Sequence, residues 1–382
     1  MILNLSNGSS SGKNLKDLSL ESKDVMKGKV TYSNFTNKII GTAPFSYAGQ
    51  VSGKDVYLLD ESVVGTTMTD TNGKQIKCTR SPAVVESDWV ETTKVSEHWT
   101  DITYGFGKFM LVIDHRNAVC RSSDGKTWSY KYGIGDRNNR AWKAICYGDG
   151  KAACVASDLD AVYWSTDGET WNSSALPTSD YWRKMCYGNG KFIVSGNSNV
   201  YYTTDFETWT KSKLPSSTTG DETLSSINYY SDYFIATSFD SNKVFYSHDA
   251  INWNEARLPS DSDESWVDTY YLNGKFVAIS RTHIAYSTNG YDYTLATNPL
   301  SSDDSYFNGI TSMFGKFFIY PWNKDKGLVS EDGINWEIIN IPKRYYNICC
   351  STDSVMVFGA DQEKLLRKVR ESREDSLNFE FV

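Results

Sequence analysis

The stretch Ser165-Thr-Asp167-Gly168-Glu-Thr-Trp171 recurs along the chain in six related copies, and it decides the fold. In each copy an Asp or Asn side chain is placed to accept backbone N–H bonds, and in four of the six copies a Gly follows it and permits positive φ. An aromatic residue closes the unit. We call this unit the box, and we interpret it as a turn between two strands. The other boxes begin at Ser122, Thr203, Ser247, Ser287 and Ser330.

A second turn precedes the boxes at a nearly constant interval, as in Tyr187-Gly-Asn-Gly190. Alternating apolar and β-branched residues between the turns predict four short strands per copy, named a to d in chain order. Four strands per roughly 40 residues is the period of a β-propeller blade. The marker residues of this turn are Gly107, Gly150, Gly190, Asp232, Gly274, Gly315 and Asp353.

The seventh copy has strands a to c, but neither a box nor a fourth strand follows. Trp89–Val95, which precedes the first copy, matches the pattern of the fourth strand Trp209–Leu214. We therefore predict an all-β fold, a seven-bladed β-propeller over residues 84–370 that an N-terminal strand closes. Closure removes sheet edges that would otherwise pair with other chains. Residues 1–83 form a small β-rich segment, and residues 371–382 form a C-terminal tail.

Composition excludes several classes of protein. The 382 residues are 40% hydrophobic and 23% charged, which is ordinary for a globular protein, whereas 14% aromatic is high. A formal net charge of −8 argues against nucleic-acid binding through phosphate neutralisation. We expect no membrane insertion, since no apolar run reaches the roughly 18 residues of a spanning helix. We expect no signal peptide, because no basic stretch precedes an apolar run at the N-terminus.

The cysteines and histidines predict neither a disulfide framework nor a metal site. Cys146, Cys186 and Cys349 occupy equivalent positions in apolar strands, so we interpret them as small buried hydrophobic residues. The four histidines are scattered singly, without the spacing of metal ligands. We expect no cofactor, and free thiols fit folding in a reducing compartment.

The boxes resemble the Asp-box (BNR-type) repeat of sialidase-like propellers, and the fourth and fifth boxes depart most from it. The resemblance implies a propeller fold with the box carboxylates as structural groups on the face opposite the active site of sialidases. It implies little about function, because such repeats occur in glycosidases, sorting receptors and binding modules. The implied structural carboxylates are Asp124, Asp167, Asp205, Asp249 and Asp332.

Two neighbouring stretches near the N-terminus resemble a short repeat of tail-fibre and tail-tip proteins from phages of Gram-positive bacteria. Asp24–Tyr32 contains a Lys-Gly-Lys stretch with an aromatic residue, and Lys38–Thr42 ends in Ile-Gly-Thr. The resemblance implies a virion protein that is made in the host cytoplasm without a signal peptide. Residues 1–83 would then dock it to other virion or tail proteins. A small hairpin cap is the alternative interpretation.

The loop face, which carries the b–c loops and the d–a crossovers, is the predicted binding face, since its loops differ between copies. Trp322 is the Trp without a recurring position in the repeat, and Lys324 follows closely. An exposed aromatic ring beside charged groups suits stacking on a sugar, although folding over its own loop is equally compatible. We predict a site for a bacterial cell-surface glycan. Its candidate residues are Trp322, Lys324, Arg137, Arg140, His115, Arg116, Arg281, Asp158 and Asp160.

Catalytic residues are not predicted, but an enzyme stays open. The Phe/Tyr-Arg-Ile-Pro motif that supplies a sialidase's first arginine is not present. Another glycoside hydrolase would need two opposed carboxylates, and loop-face aspartates such as Asp158 and Asp180 are available. Three hypotheses remain: a phage receptor-binding or tail protein, a glycan-processing hydrolase, and a structural virion spacer or assembly hub. Because single sugar contacts are weak, a homo-oligomer is the expected working form.

Overall fold

The structure is a computed structural model that falls into two compact units, residues 88–369 and residues 1–87 with 370–382. The described residues are 2–5, 30–31, 39–40, 45–51, 54–59, 67–70, 75–81, 84–92, 99–114, 117–134, 140–215, 223–239, 241–259, 265–301, 304–352, 354–360, 364–372 and 376–381.

The first unit contains short strands from the N-terminal part of the chain. β5 lies between β1 and β4 in a three-stranded sheet, and β6 pairs with both β3 and β7 in a second sheet. These strands are β1 (Ile2–Leu5), β2 (Val30–Thr31), β3 (Ile39–Ile40), β4 (Phe45–Val51), β5 (Lys54–Leu59), β6 (Thr67–Asp70), β7 (Gln75–Ser81) and β8 (Val84–Glu86).

The second unit is a seven-bladed β-propeller, as predicted. Its described residues form seven antiparallel blades in a ring, and none of them is helical. The strands are β9 (Val90–Glu91); β10 (Trp99–Gly105), β11 (Lys108–Ile113), β12 (Ala118–Ser122) and β13 (Ser129–Tyr132); β14 (Trp142–Gly148), β15 (Lys151–Ala156), β16 (Ala161–Ser165) and β17 (Asn172–Ala175); β18 (Lys184–Gly188), β19 (Lys191–Ser195), β20 (Val200–Thr203) and β21 (Thr210–Lys211); β22 (Leu224–Tyr230), β23 (Tyr233–Ser238), β24 (Lys243–Ser247) and β25 (Asn254–Arg257); β26 (Trp266–Leu272), β27 (Lys275–Ser280), β28 (Ile284–Ser287) and β29 (Thr294–Ala296); and β30 (Phe307–Met313), β31 (Lys316–Ser330), β32 (Glu337–Ser351), β33 (Val355–Ala360) and β34 (Lys364–Ser372).

The sixth and seventh blades share one continuous sheet. β31 supplies strands b and c of blade six without a break, and β32 supplies strand d of blade six and strand a of blade seven. The ring is closed by β9, whose Val90 and Glu91 pair with Arg367 and Leu366 of β34. The prediction of an N-terminal closing strand is therefore confirmed.

The a–b hairpins turn on two consecutive residues with positive φ. In blade three these are Asn189 at 43° and Gly190 at 72°, and the described a–b turns of the first six blades share the pattern. Two positive φ values define the type I′ turn, whose twist matches that of the flanking strands.

The boxes are turns held by side-chain hydrogen bonds. In the second box, Oδ1 of Asp167 accepts bonds of 2.7 Å from the N–H groups of Glu169 and Thr170, and Ser165 Oγ donates to the same oxygen. The other five boxes repeat the two backbone bonds, with Asn289 in place of Asp in the fifth. The box side chains thus replace missing strand pairings at each c–d connection.

The hydrophobic core lies between adjacent blades. Trp142 and Trp266, which open inner strands, and Trp182, which lies two residues before β18, are fully buried in it. The box aromatic residues also connect blades, since Trp209 Nε1 donates a 2.8 Å bond to Ser174 Oγ of the preceding blade. Cys146 and Cys186 are buried free thiols, and the side chain of Cys349 lies outside the described residues.

The C-terminal segment 371–382, expected as a tail, contributes a strand to the first unit. β35 (Ser376–Phe381) pairs antiparallel with β7 and parallel with β2. In the part of the chain that the structure describes, no helix is long and apolar enough to cross a membrane.

Candidate ligand site at the channel mouth

Strand register separates the two faces of the propeller. In the first blade Trp99 lies opposite Ile113, at the end of β10 where the d–a crossover arrives and the b–c loop leaves. At the other end, Phe109 pairs with Ser122, the first residue of the box. The loop face therefore lies opposite the boxes, as the sequence predicts.

A β-bulge recurs near the start of the inner strand, immediately after its opening residue. The register shifts between Trp99 and Asp101 in blade one, and at the matching positions of blades two, four, five and six. Bulges redirect side chains at the rims of sheets. The bulge residues here line the mouth of the central channel, and they are Thr100, Lys143, Ser225, Val267 and Asn308.

The channel mouth is a cavity of about 380 Å³ to which six blades contribute residues. Among the described residues that line it, four are cationic and none carries a carboxylate. Tyr181 and Phe239 add exposed aromatic rings at its edge. The cations are Lys143, Arg183, Lys184 and Arg281.

Arg183 follows Trp182 in blade three and takes the place of the bulge residue. Its Nε donates a 2.6 Å hydrogen bond to Asn197 Oδ1, and its guanidinium carbon lies 4.7 Å from the centre of the Tyr181 ring. A hydrogen bond with Ser157, together with the charges of Lys143 and Arg183, lowers the pKa of Tyr181. The d–a crossover before blade three thus holds the Arg183 guanidinium against the Tyr181 ring.

Arg281 is held in a similar way on the other side of the mouth. Its guanidinium donates bonds of 3.0 Å to the carbonyl of Phe307 and 3.1 Å to Asn308 Oδ1. The same group lies 5.0 Å from the centre of the exposed Tyr306 ring. Arg281, a predicted ligand residue, is thereby placed at the cavity.

The channel continues below the mouth as a second cavity of about 400 Å³, which contains two carboxyl groups. Asp101 accepts a 2.8 Å bond from the N–H of Ile145 in the next blade, and Asp268 accepts a longer one from Ile310. Burial raises the pKa of Asp101 to about 6 and also raises the pKa of Asp268. Both aspartates therefore tie neighbouring blades together.

Lys184 lines both cavities and lies between the mouth and the two aspartates. Its charge opposes the upward pKa shifts of Asp101 and Asp268. Cationic side chains therefore line the mouth of the channel, and carboxyl groups line the deeper cavity.

The other predicted ligand residues have different surroundings. Arg140 is buried, and its guanidinium bonds the carbonyl and the carboxylate of Asp158 at 3.3 Å. Asp160 accepts bonds from the N–H of Asp180 and from Trp182 Nε1. These groups fix crossovers and do not line the mouth. His115, Arg116 and Arg137 lie outside the described residues.

Trp322 lies within strand β31, although the sequence predicts a loop there. Its cross-strand partner is Tyr345, and its N–H donates a 2.7 Å bond to the carbonyl of Tyr306. The connection is a strand because this pairing satisfies its backbone groups. The Trp322 side chain is 39% exposed, and Lys324 is half-buried in the same strand.

Sequence reasoning overlooked Lys143, Arg183 and Lys184, although a signal for them is present. The first two directly follow the recurring tryptophans Trp142 and Trp182, at the bulge position. The sequence predicts function in the variable loops, whereas the bulge at Lys143 turns an inner-strand residue toward the mouth. Within the described residues, no group of three His, Cys, Asp or Glu side chains is arranged to hold a metal ion.

Known proteins share the fold of this chain, although not its sequence. No protein-family model matches the chain, and no curated protein sequence matches it. Solved propellers are similar in structure. A catalytically inactive virginiamycin B lyase from Staphylococcus aureus, solved with quinupristin, has a TM-score of 0.65 and 13% identity, over 75% of this chain and 99% of that one. YCF48 from Cyanidioschyzon merolae has a TM-score of 0.58 and 12% identity, over 74% of this chain and 98% of that one.

A WD40 domain, that of Pan2 from Neurospora crassa, is also similar. Its TM-score is 0.56 with 10% identity, over 74% of this chain and 95% of that one. At such low identities these likenesses show the β-propeller fold alone. Function must therefore be inferred from the site itself.

Proposed function

We propose that this protein is a receptor-binding or tail protein of a phage or phage-tail-like particle, and that its propeller binds a bacterial surface glycan. The channel mouth is the proposed site. Residues 1–83 are proposed to dock the protein to other virion proteins, in a symmetric homo-oligomer that is made in the host cytoplasm.

The observation that carries the proposal is the composition of the mouth. Hydrogen-bonding groups and two exposed rings, Tyr181 and Phe239, converge on one cavity at the end of a rigid ring. Sugars are bound in this way, with rings against the apolar sugar face and polar groups on the hydroxyls. Tyr306 and Trp322 are further exposed aromatic residues of the sixth blade, and they are proposed to contact additional sugar units.

The docking and particle assignments are supported by the sequence resemblance of Asp24–Tyr32 and Lys38–Thr42 to tail proteins. A particle also offers a physical reason for weak sites. Several copies on one scaffold raise the effective concentration, and the avidity can exceed single-site affinity by roughly 10²–10⁴.

The test is to mix purified protein with host and non-host cells and to measure the fraction that sediments. We expect retention on one group of bacteria and competition by their isolated surface glycan. The Tyr181→Ala variant should sediment less, whereas Tyr132→Ala, which removes an exposed ring on the outer strand of blade one, should not. Retention on no cell wall, with stable incorporation into particles, would favour a structural spacer.

A glycan-processing hydrolase is the second candidate, and Asp101 is the observation that favours it. A carboxyl group with a pKa of about 6 suits a general acid, and Asp268 lies in the same cavity. Incubation of the glycan with wild type and with Asp101→Asn, followed by analysis for reducing ends, separates the two hypotheses. A binder retains the glycan without releasing product, whereas a hydrolase releases product that the variant does not.

A further inference from the structure

We infer that the ligand of the channel mouth is an anionic glycan, which carries phosphate or carboxylate groups. This inference rests on the proposed function and names the chemical class of its ligand. The charge of the mouth is opposite in sign to that of the whole chain. The chain has a formal net charge of −8, yet four cations and no carboxylate line the mouth among its described residues.

Gathering like charges around one opening is unfavourable without a counter-charge. The carboxylates of the described residues remove only part of this unfavourable energy at the mouth. Lys143 forms an ion pair with Asp114, whose Oδ2 lies 3.8 Å from Nζ, and the carboxylates near Lys184 lie in the deeper cavity. A bound anion would supply the missing charge at the mouth.

The two arginines are positioned before any ligand binds. Arg183 uses Nε for Asn197 and stacks on Tyr181, and Arg281 uses one terminal nitrogen for its bonds to blade six. A guanidinium group has five N–H donors, so each arginine retains further donors. Because these side chains are already held, less conformational entropy is lost when an anion binds.

The aspartates below the mouth set the depth of binding. Asp101 and Asp268 line the deeper cavity and would repel an anion that moved past Lys184. The anionic group is therefore expected to stay at the mouth, beside Tyr181 and Phe239, where an attached sugar ring can stack. A long nucleic acid fits less well, because the acidic protein around the mouth repels a continuous polyanion.

Cell walls with altered charge test the inference. Purified Gram-positive cell walls would be used untreated, after hydrofluoric acid removal of phosphodiester-linked polymers, and after carbodiimide amidation of their carboxylates. Loss of retention after the first treatment places the ligand on the phosphodiester-linked polymer, where glucose 1-phosphate tests the phosphate itself, and loss after the second identifies carboxylate. Equal retention on all three preparations would overturn the anionic assignment and leave glycan binding intact.

Charge variants identify the site. Lys143→Gln/Lys184→Gln should weaken retention by roughly tenfold at low salt, and added salt should narrow the difference. The control Lys211→Gln/Lys213→Gln removes the same charge from exposed residues at the outer edge of blade three and should bind like wild type. Circular dichroism and melting temperature verify the fold. Equal binding by both double variants would exclude the mouth as an anion site.

Glucose 1-phosphate and glucose provide a probe that does not depend on cells. We expect calorimetry to show binding of the phosphate sugar and none of glucose, with loss in Lys143→Gln/Lys184→Gln. If glucose 1-phosphate binds but no cell wall does, the anion site stands and the proposed receptor function fails. If the protein binds neither glucose 1-phosphate nor an anionic cell wall, the inference is wrong. Competition by single-stranded DNA as strong as that by the glycan would contradict the assigned ligand class.

Discussion

Gly148, at the end of the inner strand of blade two, leaves the space that the ring of Tyr187 in blade three occupies. A methyl group on Gly148 would overlap that ring. The same relationship joins Gly105 to Tyr147 and Gly188 to Tyr229. The successive glycines therefore let a tyrosine of the next blade approach the backbone closely, and they fix the spacing of blades around the channel.

Gly148→Ala should lower the free energy of unfolding by roughly 1–3 kcal/mol, because the new methyl group forces the Tyr187 ring out of its place. Urea titration measures the change. The double variant Gly148→Ala/Tyr187→Ala removes the overlap, so its loss should be smaller than the sum of the two single losses. Additive losses would mean that the glycine acts through its backbone alone.

Asp232→Gly should stabilise the protein by roughly 0.5–1 kcal/mol, because Asp232 has a φ of 69° at a turn position where other blades carry Gly. The reverse change, Gly274→Asp, is the matched control, since Gly274 has a φ of 79° and open space around its Cα. It should destabilise by a similar amount. Thermal unfolding of both variants checks the sign, and a drop in melting temperature for Asp232→Gly would contradict it.

The sequence was sufficient for the ring, because turns need particular chemistry. A type I′ turn such as Asn189-Gly190 needs two positive φ values, and a box needs an acceptor such as Asp167, so both appear as motifs that recur along the sequence. The residues of the channel mouth form no such recurring motif. They are assembled from six blades, and a bulge decides that Lys143 faces the cavity. Bulges follow from register, which a single sequence does not display.

Asp167→Asn should flatten the acid limb of the stability curve. Bonds from the N–H groups of Thr170 and Glu169 lower the pKa of Asp167 to about 2. The folded protein thus releases this proton more readily than the unfolded chain, and the stabilisation is lost as pH falls from about 4 toward 2. The natural Asn289 shows that an amide also accepts these turn bonds.

Melting temperatures between pH 5 and pH 2.5, at constant ionic strength, measure the effect in Asp167→Asn. The reciprocal variant Asn289→Asp should steepen the acid limb, because it adds a carboxylate to an equivalent turn. Parallel curves for wild type and both variants would show that the box carboxylates do not control acid stability.

Asp101→Asn should change the pH dependence of stability at higher pH than Asp167→Asn does. Burial raises the pKa of Asp101 to about 6, so the folded state holds this proton more tightly than the unfolded chain does. Its contribution to stability is full below about pH 4 and is lost as pH rises through about 6. Lys184 and Asp268, which face the same cavity, are unchanged in the variant. The melting temperature of Asp101→Asn should therefore fall less between pH 4 and pH 7, and an unchanged slope would contradict this assignment.

Tyr181 and Trp322, two exposed aromatic residues, are expected to contribute unequally to glycan binding. Tyr181 lines the cavity beside Lys143 and Arg183, whereas Trp322 does not line it. Tyr181→Ala should therefore weaken cell-wall retention more than Trp322→Ala, by about 2- to 30-fold per site, since loss of ring stacking and of the cation contact removes roughly 0.5–2 kcal/mol. Trp322→Ala should have a smaller effect.

Tyr181→Phe provides the control for this comparison. It keeps the stacking ring but removes the hydroxyl group that bonds Ser157. If ring stacking provides the affinity, Tyr181→Phe should bind nearly as well as wild type. Sedimentation with cell walls at low protein concentration measures the retention of Tyr181→Ala, Trp322→Ala and Tyr181→Phe. A larger loss in Trp322→Ala than in Tyr181→Ala would move the glycan from the channel mouth to the part of blade six around Trp322, which is exposed in β31.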